Sequence, residues 1–332
     1  MNNQTLIVDI SHLIYRNASV SGTDLYTSDN LPVKALYGVL SSINHVITEN
    51  TGINKIYLAF DGKPVWRKAL YPDYKGNRES NPDNPRYQAY ITPNEHGWSR
   101  KDMLSWTINK VKEIAPTFAM HVVYDEEAEG DDIAYRLAKK LYDHENLIFM
   151  TDDKDWLQLI NLFPNATIYR AMAEEYITKN NFQETQNLPA NWFIFQKTML
   201  GDKSDNIGPV IDGCGEKAIE FLINEAIKNN INPNSDTILS DLYPIICEKS
   251  TKNELGRYKK LININTSESY EKYGRNKQLV DFRYCPQKEL ITEKLNEISQ
   301  LDFEAAGTII QQLEFQSLAK IIVPGSPWYK LS

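Results

Sequence analysis

Four short apolar runs alternate with helix-patterned stretches, and this alternation narrows the possible folds more than any other feature. TLIV (5–8), KIYLAF (55–60), FAMHVVY (118–124) and LIFM (147–150) have strand length. Between them, residues 33–49, 102–115 and 131–143 carry helical spacing; in the last, Ile133, Leu137 and Leu141 recur every fourth residue beside Ala134 and Ala138. Such alternation predicts an α/β fold: a central, mostly parallel sheet flanked by helices. Strand signals fade from about residue 190, which suggests a sheet core over 1–190 and a helical region over 191–332. Residues 76–99, rich in Pro, Gly, Asn and Asp without periodicity, read as a long functional loop or a conditionally ordered excursion. Residues 228–236 (KNNINPNSD) read as a polar linker.

Acidic residues follow each apolar run. Asp9 ends the first and Asp61 ends the second; Glu129, Asp131 and Asp132 open the helix after the third, and Asp153 and Asp155 follow the fourth. In a parallel sheet these positions gather at the carboxyl edge, where open α/β sheets bind ligands. Converging carboxylates repel unless cations neutralise them, and oxygen donors select Mg²⁺ or Mn²⁺ over zinc. Any one of these acids is as readily a helix N-cap, and Asp132 and Asp152 fit that role best. Asp125, Glu126 and Glu127 read as solvated surface charges. The recurrence at all four strand ends is what capping explains poorly.

A second constellation is LGDKSDNIGPVIDGCGEKA (200–218). Asp202 and Asp205 are spaced by one helical turn, which allows both to project to one side. Gly213 and Gly215 precede a helix and Lys217 sits within its start, a pattern that suits phosphate binding by exposed N–H groups. As a bare G-x-G-x-K the pattern is weak, and it lacks the Lys-Ser/Thr ending of a nucleotide P-loop.

Composition limits the options without choosing among them. The net charge of −8 opposes a phosphate partner, yet Lys63, Arg67, Lys68, Lys75, Arg78, Arg86, Arg100 and Lys101 cluster in one stretch. Three scattered cysteines, Cys214, Cys247 and Cys285, argue against disulfides and zinc, and fit a reducing compartment. With no secretory-type N-terminus and no membrane-length apolar run, the expectation is a cytoplasmic protein, taken as a monomer.

Taken together, VDISHLIYR (8–16), AFDGKPVWRKALYPDYKGNR (59–78), EAEGDDIAYRLA (127–138), TDDKDWLQLI (151–160) and LGDKSDNIGPVIDGCGEKA (200–218) resemble the 5′ nuclease superfamily of flap endonucleases, in family order. The wording is similar to bacteriophage 5′-3′ exonuclease and RNase H enzymes and to the 5′ nuclease domain of bacterial DNA polymerase I. The resemblance implies a PIN-like parallel-sheet core, a helical arch over about 72–105, and a helical C-terminal helix–three-turn–helix region that grips duplex DNA. It implies a first metal cluster of Asp9, Asp61, Glu129, Asp131, Asp132 and Asp153 with its support, and a second of Asp153, Asp155, Asp202 and Asp205. Lys75 and Arg78 match the pair facing the scissile phosphate. Tyr74 and Arg67 fall at the arch base as DNA contacts, and Gly213, Gly215 and Lys217 match the duplex-binding hairpin, whose backbone can also hold K⁺.

Two Mg²⁺ or Mn²⁺ ions about 4 Å apart would then straddle the phosphodiester. Branched or nicked duplex DNA and RNA–DNA hybrid are the expected partners, with products carrying 5′ phosphate and 3′ hydroxyl ends. Tyr71, Tyr74, Tyr87, Tyr90 and Trp98 could stack on unpaired bases or simply pack or lie disordered. Three features depart from the pattern: the turn Ile207–Gly213 is longer and reverses the usual Gly-Pro order, Glu79, Asp83 and Glu95 make the arch less basic, and 228–270 matches no motif. Rival readings are a non-catalytic structure-selective DNA-binding protein, a PIN-type single-stranded RNA nuclease, and a haloacid-dehalogenase-type phosphatase; Asp9-Ile10-Ser11 lacks the D-x-D the last requires. The tail VPGSPWYKLS (323–332) reads as a packed terminus, with docking to a sliding clamp or single-strand-binding protein as the alternative.

Overall fold

The computed structural model describes residues 3–78, 84–288 and 300–331. In chain order the elements are β1 (Gln4–Asp9), α1 (Ile10–Ser19), α2 (Lys34–Glu49), β2 (Ile53–Phe60), α3 (Val65–Leu70), α4 (Pro85–Ile91), α5 (Arg100–Ile114), β3 (Met120–Tyr124) and α6 (Gly130–Leu141). There follow β4 (Asn146–Met150), α7 (Gln158–Leu162), β5 (Ala166–Arg170), β6 (Glu175–Ile177), α8 (Phe182–Gln186), α9 (Phe193–Leu200), α10 (Glu216–Lys228), α11 (Ile238–Thr251), α12 (Ser267–Val280) and α13 (Phe303–Gln312).

The strands form one sheet of order β3-β2-β1-β4-β5-β6. The first five are parallel and β6 is antiparallel to β5. β1 lies at the centre, with Leu6 beside Ile56 on one side and Ile148 on the other. Its run Leu6-Ile7-Val8 is apolar throughout because both faces are covered. Leu6 and Val8 share a core with residues of α1, α2 and α5. Alternation turns Ile7 and Phe149 the other way, and the ring of Trp156 meets that of Phe149 edge-on.

The sequence missed β5 and β6, and within 76–99, read as a long loop or conditionally ordered excursion, Pro85–Ile91 form the helix α4. Pro85 stands at the first helical position, where its missing N–H costs nothing, and the Asn84 side chain accepts from Arg86 N at 2.9 Å. Residues 79–83, including Glu79 and Asp83, lie outside the described residues.

The chain divides into two compact units, Met1–Lys63, Ser80–Thr178 and Gln287–Ser332 in one, Pro64–Glu79 and Lys179–Pro286 in the other. This differs from a boundary at 190, because the last stretch of chain returns to the sheet. Asp302 N donates to Thr117 O at 3.0 Å, and Phe118 bridges Leu301. The terminus packs: Trp328 is fully buried, edge-on to Phe118, and its Nε1 donates to Asn44 Oδ1 at 2.9 Å. The second unit is built on helices, and no named strand follows β6 among the described residues. No helix among them is long and apolar enough to cross a membrane.

Trp328→Ala should therefore lower stability by about 3–5 kcal/mol, read by denaturant unfolding. A loss below about 1 kcal/mol would show that the terminus is not part of the sheet unit's core.

Candidate active site

Because the strands run parallel, the residues after β1, β2 and β4 lie at one edge of the sheet. Asp9 ends β1 and caps α1: its Oδ1 accepts from His12 N at 3.1 Å, and its Oδ2 accepts from Thr151 Oγ1 at 2.9 Å. The side chain is buried, at 6% exposure. Burial first, then the neighbouring Asp61 and Asp153 charges, raise its carboxyl from 3.8 to about 8, against the opposing hydrogen bonds from His12 and Thr151. Asp61 N donates to Ser11 Oγ at 3.0 Å, and Asp61 Oδ1 accepts from Gly130 N at 2.6 Å. Position 130 suits glycine because a Cβ there would come within 3.0 Å of Asp61 Oδ1. Asp61 thus sits at the N-terminus of α6, where the helix dipole and free N–H groups favour an anion.

The remaining acids of this unit are held by local partners. Glu129 is the N-cap of α6 and is buried; its N–H donates to Asp132 Oδ2 at 3.1 Å. Asp132 is wholly buried, with its Oδ2 taken up in that capping exchange. Asp131 Oδ1 accepts from the buried Trp156 Nε1 at 2.7 Å. Asp153 Oδ1 accepts from Asp155 N at 2.9 Å and caps the 3-10 turn Lys154–Leu157. Asp152 receives Met172 N at 3.0 Å and faces Arg16 at 3.8 Å. Asp125 is not simply solvated, since it pairs with Arg136 at 2.8 Å.

The charges of Asp61 and Asp153 therefore both act on Asp9. The tight convergence expected of these acids is not seen: among the described residues, no three His, Cys, Asp or Glu side chains form a ready-made metal-binding group. Asp9, Asp61, Asp131 and Asp153 each have at least one oxygen held by a donor of the protein itself.

In the second unit Asp202 and Asp205 are not on a helix, which corrects the one-turn spacing. They lie in a turn after α9, closed by Asp202 N to Ile207 O at 2.9 Å and Ile207 N to Asp202 O at 2.7 Å. Lys197 Nζ meets Asp202 Oδ2 at 2.8 Å. Burial pushes the Asp202 carboxyl up, but the Lys197 charge and the Ser204 hydrogen bonds outweigh it and hold it at about 2. Asp205 Oδ2 accepts from Tyr74 Oη at 2.8 Å, and its Oδ1 faces Lys75 Nζ at 3.8 Å. Lys75 has a left-handed backbone (φ 56°), and its N–H donates to Asp205 O at 2.9 Å. The side chain of Arg78 lies outside the described residues.

Two expected DNA contacts are instead interior. Tyr74 is 2% exposed and clusters with Ile207, Leu279 and Val280. Arg67 is 1% exposed, donates Nε to Leu279 O at 3.1 Å, and lies over the Trp66 ring at 4.4 Å. Neither offers a surface to a strand of DNA. Gly213 (φ 79°), Gly215 at the N-cap of α10, and exposed Lys217 line a cleft of about 450 Å³ with Tyr258 and Lys260. Lys260 went unnoticed because it lies in the stretch without a motif. Asn276 was missed too: wholly buried, it ties Thr198 O at 3.1 Å to Gly208 O at 2.8 Å and so braces the long turn. Lys197 had one legible signal, a cation in the last turn of a helix just before Asp202.

An acid-lined parallel sheet with such a helical unit is the arrangement of a 5′ nuclease, and the family profile described as 5′-3′ exonuclease, N-terminal resolvase-like domain, matches residues 4–187. The chain belongs to this family. It is 28% identical over 323 residues to DNA polymerase I of Caldicellulosiruptor bescii, covering 95% of this chain and 33% of the polymerase. It is 28% identical over 237 residues to the 5′-3′ exonuclease of Buchnera aphidicola subsp. Acyrthosiphon pisum, covering 69% and 75%. The chain thus spans a third of the polymerase and three quarters of the exonuclease. In fold it is similar to the bacteriophage T5 D15 flap endonuclease, solved as a pseudo-enzyme–product complex with DNA and metal ions: TM-score 0.61 at 20% identity, covering 96% and 98%.

Arg67→Lys should cost roughly 1–3 kcal/mol of stability by removing the donor to Leu279 O. The salt dependence of duplex binding should stay unchanged. A slope reduced by about one would return Arg67 to the list of phosphate contacts.

Proposed function

We propose that the chain is a structure-specific 5′-3′ exonuclease and flap endonuclease that hydrolyses phosphodiesters in branched, nicked or RNA-primed duplexes with divalent cations. The observation that carries this is the set of acids at successive carboxyl ends of a parallel sheet, in a chain of the 5′-3′ exonuclease family. That the T5 enzyme is described with DNA and metal ions supports the same substrate and cofactor class.

The residues fit hard cations on this structure's own terms. The donors are carboxylate oxygens, and Asp9 carries a carboxyl that its burial and its acidic neighbours make costly to ionise without added positive charge. Asp9, Asp61, Glu129, Asp131, Asp153 and Asp155 are the proposed holders in the sheet unit, and Asp202 and Asp205 in the helical unit. Mg²⁺ or Mn²⁺, when bound, supplies charge to offset the phosphodiester and lowers the pKa of the attacking water.

The chain's own residues position these parts. Thr151 and His12 N orient Asp9, Gly130 N orients Asp61, and Trp156 orients Asp131. Lys75 and Arg78 are assigned to the charge that develops on the phosphate, Lys75 as a point charge and Arg78 as a two-point grip. Gly213, Gly215 and Lys217, with Lys260 beside them, are assigned to a duplex phosphate, with K⁺ as a candidate bridging ion there.

Incubation with a labelled 5′-flap duplex should release a short 5′ product with Mg²⁺ and none with EDTA. Asp153→Asn should cut turnover by about 100-fold or more and change flap affinity far less. EDTA-resistant cleavage, or preference for single-stranded RNA over the flap, would overturn the proposal.

A further inference from the structure

Two turns of the helical unit, far apart in sequence, are knitted together. Residues 73–77 form one, closed by Gly76 N donating to Asp73 O at 2.9 Å. Residues 202–207 form the other, within which Asn206 N donates to Lys203 O at 3.3 Å. Each turn lends an asparagine to its opposite. Asn206 Nδ2 donates to Asp73 O at 2.9 Å, and Asn77 Nδ2 donates to Lys203 O at 2.9 Å. The exchange is reciprocal, because each amide lands on the carbonyl that closes the other turn.

Lys75 lies inside this knot. Its N–H donates to Asp205 O at 2.9 Å, and the hydroxyl of Tyr74 donates to Asp205 Oδ2 at 2.8 Å. Lys75 Nζ stands 5.2 Å from the centre of the Tyr74 ring and 3.8 Å from Asp205 Oδ1. The lysine has φ 56°, a left-handed conformation that persists in such a residue only where the surroundings over-determine it. Asn206, at φ 62°, shares that conformation, but asparagine tolerates it. The strained member is therefore the lysine, and the two asparagine amides bracket it, one bonding residue 73 and one reaching out from residue 77.

We propose that Asn77 and Asn206 are positioning residues for the hydrolysis: they lock the Lys75 turn onto the 202–207 turn, so that the ammonium group meets the substrate phosphate from a preset backbone. This rests on the role given to Lys75 above and goes beyond it, since neither asparagine is assigned a contact with the substrate. A displacement of about 1 Å in a group facing the reacting atoms costs up to about 100-fold in rate, which gives the lock its leverage.

The full chain is assayed by single-turnover cleavage of a labelled 5′-flap duplex with Mg²⁺, by flap binding in EDTA, and by amide hydrogen exchange, which needs no turnover. Asn206→Gly removes the amide and keeps the left-handed backbone accessible. It should slow cleavage about 10- to 100-fold, leave flap affinity unchanged, and speed exchange at Lys75 with α10 and α12 unmoved. Asn206→Asp, which turns a carboxylate toward the Asp73 carbonyl, should be at least as slow, and Asn77→Ala should behave like Asn206→Gly. Lys75→Met should also be slow, and adding Asn206→Gly to it should slow it no further, because the amide acts through the lysine.

Full additivity in the double variant, wild-type rates in Asn206→Gly and Asn206→Asp, or unchanged exchange at Lys75 would each overturn the proposal. So would exchange that rises equally in α10 and α12, or a fall in affinity that accounts for the slower cleavage, since both mark a merely structural role. A flap cut as fast by Lys75→Met as by wild type overturns this proposal alone. A wild type that leaves the flap uncut counts against the nuclease reading itself, and the positioning role falls with it.

Discussion

A carboxylate buried at the end of the central strand is the constraint on which the site depends. β1 has a neighbour on each side, so Asp9 stands mid-edge, close enough to Asp61 and Asp153 for their charges to act on it. Unit charges a few Å apart interact by several kcal/mol at the effective dielectric of a protein interior, on the order of 4 kcal/mol at 4 Å. The hydrogen bonds from His12 and Thr151 oppose that penalty without cancelling it, since the carboxyl still rises to about 8. A proton on Asp9 or an added cation relieves that cost, and the divalent cation proposed for this edge is the second of these. This is the link between the parallel sheet and a reaction on phosphate.

The helical unit resolves the same problem differently. Its two acids are stabilised by lysines, a tyrosine hydroxyl and the N–H groups of their own turn. Arg67 and Tyr74, both interior, build the ground on which that turn rests: Tyr74 bonds Asp205, and Arg67 fastens α3 to the end of α12. Identical residue types therefore serve opposite electrostatic ends, repulsion stored in one unit and neutrality in the other. Lys75 belongs to the second arrangement, held with a left-handed backbone against Asp205.

What the sequence reveals follows from the range of the interactions involved. Strands β1 to β4 and the helices after them carry their periodicity locally, and the acids follow directly, so the sheet and its edge were readable. β6 has three residues, too few for alternation to register, and β5 is short and follows Pro164. α4 was hidden among prolines and asparagines, although Pro85 is itself a helix-start signal. Arg67 and Tyr74 read as exposed because their burial comes from residues some 130 to 210 positions away. The orientation of each carboxylate, which decides whether a cation fits as the side chains now stand, depends on donors such as Trp156 Nε1 and Gly130 N that no spacing rule predicts.

Crystals of the chain soaked in Mn²⁺, with data collected at the manganese edge, test the central claim most directly. The account predicts an anomalous peak between about 2.0 and 2.6 Å from carboxylate oxygens of Asp9 and Asp61, with Thr151 still donating to Asp9. Ordered Mn²⁺ found elsewhere, with that edge of the sheet empty at saturating concentration, would contradict it.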